Sequence, residues 1–377
     1  MGSMKRWLPV FGMVLVSRAL LSQDAGSAPA GDEQTATISV QSSLVWVPAL
    51  VKTKAGALVY TLKADDFKLT DNGVDQKLRL EEDTGGEPLA LVILVETGSD
   101  GAAKLDLYSQ LGPMLDAVVG AVPHKVAVVS FDSAPAVEVP FTTKMDLVNQ
   151  TLGGLQAGDR KDAIFDGITF AVDMLRKQPV VYRRAILMFS ETIDHGSHVK
   201  LVDALRAIGD TNTTIYSVAF SSSRAELGHE ASKISSNEPG PQHGCFSRDK
   251  NADPNTTPSR ASQDYDCAAQ LLPPLILAKM AAAVVINSFK RNAPETVSRL
   301  TGGEYFHFKN EKTLEGDLLT ISNHLPNRYV LSFHPQSPVA GFHSIQLSLP
   351  EHIDLKVEAR NGYWVEDGEA PVVSAGH

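Results

Sequence analysis

Cysteine is nearly absent from this chain: 377 residues hold two, Cys245 and Cys267, with none before them. That excludes a lipid anchor on a cysteine near the amino terminus. With one histidine close by, His243, it also leaves a tetrahedral metal site incomplete. In an oxidising compartment the two thiols are expected to pair as a Cys245–Cys267 disulfide, worth about 3 kcal/mol in the chain-entropy model. Clustered positive charge is missing too. The formal net charge is −10 and no Lys/Arg cluster stands out, which argues against nucleic acid or an anionic membrane as partner. Neither a GxGxxG nor a GxxxxGKS/T phosphate loop is present, so nucleotide binding is not indicated. His195, His198 and His229 do not fall at a metal-binding spacing and read as exposed loop histidines. The apolar run from Trp7 to Val16 ends before Arg18, far short of the ~20 residues a membrane span needs.

What the amino terminus does have is the order of an export signal. Lys5 and Arg6 precede the apolar run, and Ala28-Pro29-Ala30 supplies small residues after it. Residues 1–30 are therefore expected to be a signal peptide, and the mature protein to be periplasmic or extracellular, with no span of its own. A hydrophobic content of 43 % supports a real core.

The chain then divides by periodicity. Residues 34–86 read as short strands, with a strong turn at Asp71-Asn72-Gly73. Residues 87–325 alternate strand and helix. Strand candidates are 89–95, 125–131, 184–189, 214–220 and 304–308. Helix candidates are 104–119, 163–176, 199–207, 275–299 and 313–324, with Gly112-Pro113 interrupting the first. Residues 137–141 follow closely enough to pair with 125–131 as a hairpin at the sheet edge. Residues 226–270 break the rhythm as a Pro-, Ser- and Asn-rich insertion. Residues 326–366 return to strands, and 367–377 form a tail. The expected fold is an α/β doubly wound, mostly parallel sheet, inserted in a small β-sandwich made by the N- and C-terminal strands, since neither β piece alone can bury a face.

The run from Pro88 to Gly101, PLALVILVETGSDG, is the centre of this plan. Leu89 to Val95 is apolar throughout, as a strand buried on both faces must be. Binding sites in open α/β sheets form where such strands end. Three acidic loops are expected to converge there. One carries Glu96, Thr97, Gly98, Ser99 and Asp100; another Asp159, Asp162 and Asp166; the third Glu191, Thr192, Asp194 and His195. Oxygen ligands so grouped point to Mg²⁺ or Ca²⁺. The alternative is capping: Asp162 at the helix from Ala163, and Asp194 in a turn before Gly196. Glu96 and Glu191, at the ends of buried strands, fit that alternative less well.

The strand–ETGSD–helix, the GDRKDAIFDGI segment and the FSETIDHGS segment resemble the von Willebrand factor A (VWA) domain, and most closely the bacterial VWFA-related proteins common in acidobacteria. Leu44-Val45-Trp46-Val47-Pro48, Leu62 to Phe67, Asn327 to Phe333 and Asn361-Gly362-Tyr363-Trp364 extend the resemblance to the flanking strands. It implies a non-enzymatic protein-binding or adhesion module with its ligand at the carboxyl ends of the central strands. The family's metal-ion-dependent adhesion site uses a D-x-S-x-S loop, a Thr from the second loop and an Asp from the third. At those positions this chain has Glu96, Gly98, Asp100, Asp162 and Glu191, so both serines and the threonine are lost. The expected metal set is Glu96, Asp100, Asp162 and Glu191, in a degenerate site where a cation is bound in the adhesion-type manner, held in altered form or absent. Thr97, Gly98, Ser99 and Asp194 are the expected ligand-binding loop residues. The competing readings are a hydrolase using Ser99 and His195, although the spacing is not G-x-S-x-G, and a purely structural envelope protein.

Overall fold

The computed structural model describes residues 44–81, 87–120, 122–209, 212–220, 285–336 and 339–366. The expected export segment, Cys245, Cys267 and the whole of the expected 226–270 insertion lie outside them. The chain opens with β1 (Val45–Thr53), β2 (Lys68–Asp71), β3 (Val74–Gln76) and β4 (Arg79–Leu80). The α/β block follows with β5 (Leu89–Glu96), α1 (Leu105–Tyr108), α2 (Gly112–Val119), β6 (His124–Phe131), β7 (Pro135–Thr142) and α3 (Met145–Gly153). It continues through α4 (Ile164–Arg176), β8 (Arg183–Ser190), α5 (Leu201–Gly209), β9 (Thr213–Ala219), α6 (Ala293–Thr301), β10 (Tyr305–His307) and α7 (Glu311–His324). The chain closes with β11 (Tyr329–Phe333), β12 (Gly341–Ser348), β13 (Leu355–Ala359) and β14 (Gly362–Val365).

Six strands form the central sheet in the order β10-β9-β8-β5-β6-β7. All pairs are parallel except β6 with β7, the hairpin at the edge. β5 lies between β8 and β6, and every one of its residues is buried. Its alternation builds two cores. Leu89, Leu91, Ile93 and Val95 pack with α2, α3 and α7 on one face. Ala90, Val92 and Leu94 pack with α4, α5 and α6 on the other. This is the mixed α/β fold class expected from the sequence, and it is consistent with a VWA-like fold.

The flanking strands pair across the length of the chain. β1 lies between β13 and β11 in one antiparallel sheet, while β2 pairs with β12 in another. Val45, Val47, Ala49 and Val51 of β1 meet Leu69, Leu331, Phe333, Ile345 and Tyr363 in a third core. The Asn72-Gly73 turn between β2 and β3 has φ of 47° and 82°, the left-handed pair that a tight hairpin turn needs. Glu304, buried just before β10, ties the sandwich to the α/β block. It pairs with Arg328 at 3.0 Å, His324 at 2.9 Å and Lys52 of β1 at 3.5 Å.

Two local expectations need correction. The helix expected over 104–119 is a 3₁₀ turn at Gly101–Lys104, the single turn α1, and then α2 with Gly112-Pro113 at its start, where proline is tolerated. Helix α3 was not foreseen. Its short amphipathic face rests on two buried residues, Val148 and Leu152, and no side chain caps it.

Candidate functional site

Three loops meet at the carboxyl edge of the sheet because β5 and β8 are parallel neighbours in register, Val95 opposite Phe189. Their ends therefore place Glu96 and Glu191 side by side. The loop before α4 reaches the same edge through the backbone: Gly158 donates to the Thr97 carbonyl at 2.8 Å, Ser99 to the Asp159 carbonyl at 2.9 Å, and Ala163 to the Asp132 carbonyl at 2.8 Å. His195 N donates to the Asp162 carbonyl at 3.0 Å, closing the third side.

Inside this frame Glu96, Asp162 and Glu191 form one cluster. One carboxylate oxygen from each lies within 4.8 Å of the others, and the three residues are 0–1 % exposed. Glu96 is held by the main chain: Oε1 accepts from Gly101 N at 3.1 Å and Oε2 from Glu191 N at 2.7 Å. A glutamate spans from β5 to the start of the third loop where an aspartate would be one methylene shorter. Asp162 Oδ1 is buried and has no hydrogen-bond donor among the described residues. Burial pushes Glu96 well above the ordinary carboxylate range, and the charges of Asp162 and Glu191 push the same way against the two backbone donors. Burial raises Asp162 as well, with the nearby charge of Asp100 adding to it. A charged carboxylate that loses water needs a counter-charge or a proton. The His195 ring lies beside the cluster, its Nε2 3.9 Å from Glu191 Oε1.

The other candidate residues have different places. Asp162 does not cap α4, whose amino-terminal cap position is Ala163 and carries no side-chain cap bond. Asp194 does the capping from the third loop. Its Oδ1 accepts from Phe165 N at 3.3 Å and from the Ser197 hydroxyl at 2.5 Å, and Ser197 Oγ also accepts from Phe165 N at 2.9 Å. Asp166 accepts from the backbone N–H groups of His198 and Val199. Thr97 is buried and donates to the Phe131 carbonyl at 3.2 Å, so it does not face a ligand. Asp100 is half-buried at the rim. Ser99 is half-buried with φ of 42°, and His195 is turned toward Glu191.

Gly98, where the resemblance would lead one to expect a serine, sits in surroundings that leave no room for a side chain. A Cβ built there would lie 2.1 Å from the Lys161 carbonyl oxygen and 3.0 Å from Asp132 Cβ. The loops approach too closely for any side chain. Sequence reasoning missed Asp132 altogether, although its Oδ2 accepts from Asp159 N at 3.0 Å and steadies the second loop. Its position directly after Phe131, the last residue of β6, was the available signal.

The residues fit a hard divalent cation in one respect and depart from the adhesion site in another. Three convergent oxygen donors with one unsatisfied buried oxygen suit Mg²⁺ or Ca²⁺. The cluster carries no hydroxyl ligand and is closed to solvent, however, so a partner's carboxylate has no open position to take. Among the described residues no helix is long and apolar enough to cross a membrane.

No protein-family model matches the sequence, and no curated protein matches it. Solved structures similar to it include an aerotolerance-related membrane protein from Bacteroides fragilis carrying multiple mutations to serine. It is 13 % identical, with 62 % of this chain and 98 % of that one covered and a TM-score of 0.36. BatB from Bacteroides thetaiotaomicron is 12 % identical over 62 % of this chain and 99 % of its own, at 0.34. The VWA domain of SpRpn10 is 12 % identical over 40 % and 83 %, at 0.26. At these scores the fold statement rests on strand order and packing, not on the matches.

Proposed function

We propose that this chain is an exported, non-enzymatic protein-binding module of VWA type. In this reading its partner docks on the loop face at the carboxyl ends of β5 and β8, and Glu96, Asp162 and Glu191 hold a divalent cation beneath that face. The observation that supports it is the closed carboxylate cluster. Three acids within one buried space need a positive charge or protons, and a cation bound there would tie together the loops that shape the surface. Asp100, at the rim, is the fourth residue able to contribute an oxygen. Recognition then falls to the exposed groups above the cluster, Arg160, Lys161 and His198 among them. The charged–apolar–small order of residues 1–30 supports export, and adhesion is the family's use of such a face.

The hydrolase reading has less support. Ser99 has no bond to His195 among the described residues, and the histidine's nearest acidic group is the cluster itself. The experiment is a calorimetric titration with MgCl₂ and CaCl₂ on metal-free protein. Saturable binding lost in Asp162→Asn supports the cation; absence of heat and of any shift in Tm removes it.

A further inference from the structure

A second site lies at the opposite edge of the central sheet, where β5, β8 and β9 begin. A cavity of about 510 Å³ opens there between the strand starts and the sandwich. Four arginines line it, Arg183, Arg184, Arg328 and Arg360, with one carboxylate, Glu87. This concentration of positive charge occurs in a chain whose net charge is −10.

Two of the four are committed. Arg360 donates to the carbonyls of Gly362 and Gly209. Arg328 pairs with Glu304 at 3.0 Å, donates to the Gly302 carbonyl and stacks over Tyr216. Arg184 has the Gln178 carbonyl at 2.9 Å but no acidic partner, and Arg183 has neither among the described residues. Glu87 is the one carboxylate among the lining residues, so the arginines outnumber the acids there. The unused donors also gather here: Nε of Arg183, of Arg184 and of Arg328 and the Thr213 hydroxyl are all buried without a partner among the described residues. Thr213 is 3 % exposed and Arg328 9 %. Buried donors are almost always satisfied in folded proteins, and four without a partner among the described residues sit around this one cavity. The remaining walls are apolar, with Trp46, Leu89, Leu325 and Val330. At the rim, Val180 is 93 % and Val181 60 % exposed.

We propose that this cavity binds an organic monoanion, a carboxylate carried on an apolar body, with the head at Arg183, Arg184 and Thr213 and the body against Trp46 and Leu325. The volume falls within the range of small-molecule pockets, and a guanidinium matches a carboxylate in geometry as well as charge. The site is separate from the carboxylate cluster, so either can fail without the other.

The test is calorimetric titration of the full chain with sodium decanoate, with decanol and inorganic phosphate as controls. Saturable binding of decanoate at one equivalent is expected, at least tenfold tighter than decanol, with no phosphate binding and at least tenfold weakening in Arg183→Gln. No saturable heat with decanoate, equal binding of decanol, binding of phosphate in its place, or unchanged affinity in Arg183→Gln would each overturn the proposal. If Arg183→Gln does not fold, the comparison of decanoate with decanol on the unaltered protein decides.

Discussion

Placing at position 98 the serine that the resemblance would lead one to expect should damage the protein rather than build a metal site. A Cβ at Gly98 falls 2.1 Å from the Lys161 carbonyl, whereas ordinary contact begins at 3.4 Å. The first and second loops must therefore part by more than an ångström. Overpacking of this kind costs about 1–3 kcal/mol. The movement also strains the Ser99–Asp159 and Gly158–Thr97 backbone bonds, at 2.9 and 2.8 Å, each worth about 1 kcal/mol. Taken together, Gly98→Ser should lose about 3 kcal/mol, or roughly 6–12 °C in Tm at the scale of a domain of this size. Differential scanning calorimetry reads this directly. Gly98→Ala should lose about as much, because the clash lies at Cβ and not at the hydroxyl. A serine variant that melts within about 1 °C of the parent, or that binds Mg²⁺ more tightly than it, would refute the reasoning.

Glu304→Gln should cost about 3 kcal/mol in urea unfolding, because Arg328 stays buried without its counter-charge and His324 Nδ1 loses its carboxylate partner. Burial raises the Glu304 carboxyl, but His324, Arg328 and Lys52 outweigh it and hold it below its ordinary value. Its contribution is therefore present at neutral pH and is lost as pH falls through that depressed value; urea midpoints from pH 7 to 3 should drop less in the Gln variant. His343 runs the other way. Burial lowers it, yet the bond and charge of Asp71 and the Val339 carbonyl prevail and raise it. Nδ1 faces Asp71 Oδ1 at 2.8 Å and Nε2 faces the Val339 carbonyl at 2.6 Å, so a doubly protonated ring satisfies both acceptors. Stability from this group is full below the unfolded histidine value of about 6.5 and fades as pH rises through the raised one. Tm measured from pH 6 to 9 should decline, and His343→Gln should flatten that decline.

The sheet was legible because its signal is local. Leu89 to Val95 has no polar residue, and a strand between two helical layers needs none. The hairpin of β6 and β7 and the strands of residues 326–366 were marked by turns and prolines in the same way. The site was legible only as a set of loops. Strand ends placed Glu96 and Glu191, and the structure brings them to Asp162. Which aspartate caps a helix was not legible, because the cap of α4 comes from Asp194, 29 residues from the Phe165 N–H it accepts from. Gly98 read as a lost ligand; only the neighbouring Lys161 carbonyl shows that the position excludes a side chain. The arginine-lined cavity left no mark at all. Trp46, Arg183, Arg328 and Arg360 come from four distant segments and meet only after the sandwich closes against the sheet.

The central claim is that three buried carboxylates form a closed cation site under the binding face. Calorimetric titration of metal-free protein with CaCl₂ and MgCl₂, beside Asp162→Asn, tests it most directly. The account predicts saturable binding at one equivalent with a rise in Tm, weakened at least tenfold in the variant, since a charged oxygen ligand is lost. Neither heat nor a rise in Tm with either ion, or equal affinity in Asp162→Asn, would contradict it.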